Sequence, residues 1–289
     1  MRRYILIIIL APLLLSSAFA QNSRKAPRSI VHIVSCDDTD DSMIGEPCRK
    51  ANTYYTHTLI DSINLCTGNT AVCHSFTGNS FTKEEIFNRL DYMKTEPEDV
   101  ILFHYSGNGF SVKNDSLPIL SFHKDTTQLS SDSALYLSDI YTLLRSKPHR
   151  LMIIVYDGSR IVNDSVATDS IQRIEFPSNV DRTRYKNKVK HDNTQNSWDS
   201  LFSQSTGNYI IFACRYGESC FIFPGIGSIL DYYLQTVFSE IYYGSNKTWV
   251  SILSDICKRA CRVTHDSDID QHPCWSEIKP TIKEAQGNQ

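Results

Sequence analysis

Two short stretches combine reactive side chains with the small residues that expose them. Phe103–Gly109 reads FHYSGNG and Val155–Ile161 reads VYDGSRI. Each is an apolar run that breaks into Gly, Ser, Asn or Asp. Ser159 carries a hydroxyl, which attacks a carbonyl only if a base takes its proton. Asn108, 51 positions earlier, carries an amide. An amide donates and accepts hydrogen bonds but does not titrate near pH 7. Asp157 adds a carboxylate two positions before Ser159. The backbone N–H groups of Gly109 and Ser159 are candidate donors to a developing oxyanion.

The elements that must position these groups are strands. Val100–Tyr105 and Arg150–Tyr156 are strand-length apolar runs, the pattern of a parallel sheet buried on both faces. Such sheets present their sites at the carboxyl ends of strands. Ser29–Ser35, Ala71–Phe76 and Tyr209–Ala213 read as further strands. Helical spacing runs through Cys48–Leu65, with Pro47 at its opening. Thr82 reads as an N-cap with Glu85 three residues on, and Leu137–Leu144 reads as a short helix with Ser138 as its cap. Gly227–Tyr242 and Thr248–Cys261 complete the helices. Phe110–Phe122 reads as a hairpin, 162–207 as a long polar loop and 266–289 as irregular. Strands alternating with helices predict βαβ units and a mainly parallel sheet.

The chain has 289 residues, 41% of them hydrophobic and 21% charged, which suits one sizeable core. Arg2 and Arg3, the apolar run Ile5–Leu15 and Ala18-Phe19-Ala20 form a cleavable export signal over residues 1–20, followed by a polar lead-in over 21–28. The apolar run is too short for a bilayer span. Loss of its two arginines moves the formal charge from −3 to −5, which argues against nucleic-acid binding. All nine cysteines follow the signal, and an exported chain permits disulfides. Proximity suggests Cys36–Cys48, Cys66–Cys73, Cys214–Cys220 and one bond within Cys257, Cys261 and Cys274. No CxxC pair or matching His supports zinc, and neither metal nor cofactor is expected.

With these residues in view, the chain resembles the caspase-like cysteine peptidases, above all the metacaspase and bacterial branch. FHYSGNG resembles the family's F-x-Y-S-G-H-G strand end, and VYDGSRI resembles its D-x-C-H/R-S-G. The nucleophile follows the His by about 50 residues in such proteins, similar to the spacing here. The segments YLSDIYTLLRSKPHRLMIIVYD and FACRYGESCF and the helix at Gly225–Phe238 extend the resemblance over about residues 29–275. It implies an α/β caspase-hemoglobinase fold: one domain over 29–280, a six-stranded mostly parallel sheet with helices on both faces, and a tail over 281–289. It also implies that Asn108 occupies the general-base position and Ser159 the nucleophile position, both substituted, and that Gly109 serves the oxyanion hole. Asp157 and Asp38 would receive a basic substrate side chain. For Asp157 the plainer alternative is a cap on the strand end.

The family chemistry needs a thiolate and an imidazole. Their joint replacement predicts an exported pseudopeptidase that binds a peptide or protein partner. The alternative is an endopeptidase with a relocated or degenerate dyad. Candidate replacements are His104, His32 and His123, with Cys36 and Cys214 at strand ends. Buried, solvated or structural roles are the simpler reading for each.

Overall fold

The computed structural model describes residues 29–111, 117–122, 134–161, 194–223, 226–242 and 247–278. The signal at 1–20, the lead-in, the tail, His123 and positions 162–193 of the polar loop lie outside them. The chain runs β1 (Ile30–Asp37), α1 (Gly45–Thr53), a π-helical turn at Tyr54–Thr58, α2 (Leu59–Cys66), β2 (Thr70–Phe76), α3 (Lys83–Tyr92) and β3 (Val100–Ser106). Next come β4 (Gly109–Phe110), β5 (Ile119–Ser121), β6 (Ala134–Tyr136), α4 (Leu137–Arg145), β7 (Leu151–Asp157) and α5 (Thr194–Asp199). The rest is a second π-helical turn at Ser200–Gln204, β8 (Gly207–Phe212), β9 (Ile222–Phe223), β10 (Gly227–Ser228), α6 (Ile229–Tyr242), α7 (Trp249–Asp266) and β11 (Cys274–Glu277).

Six strands form one sheet in the order β11-β8-β7-β3-β1-β2. Neighbours from β2 to β8 pair in parallel and β11 pairs antiparallel with β8. The expected six-stranded, mostly parallel sheet is therefore present. Every residue of β3 and β7 is buried, because helices cover both faces. Val100, Leu102, Ile153 and Val155 pack with α2, α6 and α7. Ile101, Phe103, Ile154 and Tyr156 pack with α3 and α4 on the other face.

The helix starts follow local chemistry. The Thr82 hydroxyl accepts from Glu85 N–H at 3.3 Å, and Thr248 forms a reciprocal capping box with Ser251. Helix α4 starts at Leu137, as predicted, but its N-cap is Tyr136 and Ser138 does not cap it. The predicted hairpin is present as β4 paired with β5, and β6 extends it.

Three expectations change. The stretch 194–204, read as loop, is helical because Trp198, Leu201 and Phe202 insert into the core. Trp198 stacks on Phe202 and Phe238, each at 5.5 Å. The segment read as irregular after Asp266 contains β11, which takes its ladder from β8. All nine cysteines are free thiols. Cys36 packs on the α3/α4 face, whereas the Cys48 sulfur lies 3.3 Å from Ser106 Oγ. The Cys214 thiol donates to the Gly158 and Glu218 carbonyls, and the Cys220 thiol to Asp157. Proximity along the chain did not bring these sulfurs together.

Candidate functional site

The site is built by register. Asp37 pairs with Ser106, and Ser106 with Asp157, so β1, β3 and β7 end level. In a parallel ladder, paired residues point to the same face. These three side chains therefore share the α6 side. The turns that follow are tied together, since Gly107 N–H donates to the Asp157 carbonyl at 3.2 Å. Asn108 and Ser159 consequently line one cleft with Asp157, Ser106, Cys48 and Cys220. Its volume is about 40 Å³, room for a few water-sized groups.

Asn108 is half-buried and held from both ends. Its Nδ2 donates to Asp41 Oδ2 at 3.1 Å. Its carbonyl accepts from the Tyr105 hydroxyl and from Ser121 N–H. Asp41 in turn accepts from Met43 and Ile44 N–H groups, so the amide is fixed to the start of α1. The Ser159 hydroxyl accepts from Cys220 N–H at 2.9 Å, and its carbonyl accepts from the Tyr156 hydroxyl at 3.0 Å. Gly109 leads into β4, and a Cβ there would fall 1.7 Å from Tyr156 Oη. Only a residue without a side chain fits.

Asp157 lines the cleft and is 4% exposed. Burial, and then the nearby Asp231 carboxylate, push its carboxyl up to about 7, against the opposing pull of Ser228, His104 and Cys220. Asp38 is buried at the end of β1, where its N–H donates to Ser106, and it does not line the cleft. The acid that acts on Asp157 is Asp231 of α6, which sequence reasoning missed. Nothing local marks it, because it reaches the site only through the packing of α6 on the sheet.

His104 is fully buried, with Nδ1 3.1 Å from Asp37 Oδ1 and Nε2 3.3 Å from Asp231 Oδ2. Burial alone would lower its pKa, but the Asp231 and Asp37 carboxylates outweigh that and hold it at about 10. A protonated imidazole between two carboxylates is no base. His32 contacts Asp99 at 3.2 Å, in the same ladder as the amino-terminal end of β3. Cys36 and Cys214 are buried, and neither lines the cleft. The two thiols that do, Cys48 and Cys220, were not candidates from sequence. Burial raises both above the ordinary thiol range, so both stay neutral. The cleft thus offers hydrogen-bond donors, a buried acid and neutral thiols, but among the described residues no paired base and nucleophile.

No protein-family model matches the chain, and no curated protein matches it. Among solved structures, it is similar to caspase-1 from Spodoptera frugiperda, at 13% identity and a TM-score of 0.45, covering 86% of each chain. It is also similar to a structural-genomics protein from Geobacter sulfurreducens, at 13% identity and a TM-score of 0.48, covering 89% of this chain and 96% of that one.

Proposed function

We propose that this chain is an exported caspase-like domain that holds a peptide or protein ligand at the ends of β3 and β7 without cleaving it. The carrying observation is the bonding of Ser159. Its hydroxyl accepts a backbone hydrogen bond from Cys220, and the facing turn supplies the amide of Asn108. A hydroxyl without a proton acceptor is a poor nucleophile. His104 is committed to Asp37 and Asp231. Asp157, lining the cleft, would favour a basic side chain on the ligand where its carboxyl is ionised. The N-terminal signal pattern supports export, and no helix among the described residues is long and apolar enough to cross a membrane.

The test is hydrolysis of Arg-, Lys- and Asp-containing peptides by the purified chain, before and after limited proteolysis. No turnover and no labelling by serine- or thiol-directed probes at the cleft is the expected result. Turnover that disappears in Ser159→Ala, Cys48→Ala or Cys220→Ala would overturn the reading in favour of a relocated catalytic group.

A further inference from the structure

Outside the cleft, the ladder of β8 with β11 creates a second cluster. Cys274 pairs with Phe212, so the segment approaching β11 passes the loop that leaves β8. Glu218 comes from that loop, and Asp270 and His272 come from the approach. His272 Nδ1 lies 2.8 Å from Glu218 Oε1 and 3.5 Å from Asp270 Oδ1. All three ligand atoms fall within 4.8 Å of one another.

We propose that Glu218, Asp270 and His272 form a binding site for a divalent transition-metal ion of the Zn²⁺ or Co²⁺ class. The spacing is close to that of adjacent ligands around one ion: the 3.5 Å from His272 to Asp270 fits directly, and the 2.8 Å hydrogen bond from His272 to Glu218 must open slightly on binding. Bonds of about 2.0–2.2 Å place neighbouring N and O donors roughly 3–3.5 Å apart. One imidazole with two carboxylates is a donor set for this class of ion. Glu218 is already oriented for it. Its Oε2 accepts from the N–H groups of Arg215 and His272, at 2.9 and 2.8 Å, which leaves Oε1 turned to the imidazole. Asp270 is exposed and His272 is partly so, which leaves open positions for water ligands. The plainer arrangement of the same atoms is a hydrogen bond between His272 and the carboxylates, and the experiment separates the two.

The site would act on the cleft from behind. The Glu218 carbonyl accepts from Arg160 N–H, and two residues later Cys220 N–H holds the Ser159 hydroxyl. An ion joining Glu218 to the β11 approach would fix the loop that forms this wall. The inference does not depend on the cleft being inactive.

The test uses the full chain after chelator treatment, titrated with CoCl₂ and followed by visible absorption and calorimetry. One ion should bind, giving the weak d–d bands of N/O coordination. His272→Gln and Asp270→Asn should each weaken binding by at least about tenfold. Neither should alter the metal-free melting temperature appreciably, and at equal metal concentration the rise in that temperature should be smaller in each variant than in the wild type. An intense thiolate charge-transfer band, equal affinity in the variants, or no binding at all would each overturn the proposal.

Discussion

Nε2 of His104 lies 3.3 Å from Oδ2 of Asp231, joining the centre of the sheet to the helix that covers it. The imidazole also stacks on Tyr55 at 3.9 Å, and the Tyr55 hydroxyl donates to the other Asp231 oxygen at 3.2 Å. With Asp37 on the opposite nitrogen, one cation serves two buried anions. Removing it strands both. His104→Asn is expected to lower stability by about 3–5 kcal/mol, the usual cost of breaking a buried pair. Urea denaturation at pH 7 measures this. A loss below about 1 kcal/mol would mean that the pair contributes little.

The same groups set a pH dependence. His104 is held at about 10, above the ordinary 6.5, so its stabilisation is complete below about 6.5 and is lost as pH rises through 10. Asp157 is raised from 3.8 to about 7. Between those values the folded state keeps a proton that the unfolded state releases, so stability also falls as pH rises from about 4 to 7. Both contributions run downward with pH. Asp157→Asn should flatten the acid-side limb and leave the alkaline one. Melting temperatures of the two proteins at pH 4, 6, 8 and 10 give the comparison. Parallel curves would contradict the assignment.

Ser159 is expected to matter for structure. Ser159→Ala removes the acceptor of Cys220 N–H. A stranded, partly buried donor costs about 1 kcal/mol. Hydrogen exchange at Cys220 should accelerate about fivefold, in line with that energy. An unchanged exchange rate would show that the bond does not hold the loop.

Gly109→Ala tests the packing under the Asn108 turn. The added Cβ would overlap Tyr156 Oη and lie 3.0 Å from the Ile119 carbonyl. Overpacking of this kind costs about 1–3 kcal/mol. Gly68→Ala is the control, since a Cβ there meets nothing within 4 Å. It should change stability by no more than about 0.5 kcal/mol. Equal effects in the two variants would remove steric exclusion as the reason for glycine at 109.

The legible parts of the fold were those with a local signal. The strands β3 and β7 appear as apolar runs because both of their faces are covered. The starts of α3 and α7 appear because Thr82 and Thr248 bond to N–H groups three residues away. In contrast, β11 is four residues with no alternation, half-exposed at a sheet edge, and it is a strand only because β8 offers a ladder. Trp198 and Phe202 sit in a polar stretch and turn it helical through contacts with Phe238 and Trp249, far along the chain. The Cys36–Cys48 pairing failed for a related reason: short separation along the chain did not fix which face of the sheet a sulfur occupies.

By itself, the sequence determined that two strands end in reactive turns, that Asn108 and Ser159 stand there, and that neither is a titrating group near pH 7. Those statements concern residue identity and short-range periodicity, which need no neighbours. What surrounds the turns depended on long-range packing. The register of β1, β3 and β7 set Asp157 level with Asp37 and Ser106, the loop after β8 brought Cys220 to it, and the packing of α6 carried Asp231 to His104. The path into β11 brought His272 to Glu218. Charge and hydrogen bonding act through space over a few ångströms, and the distances that control them are set by how distant segments pack.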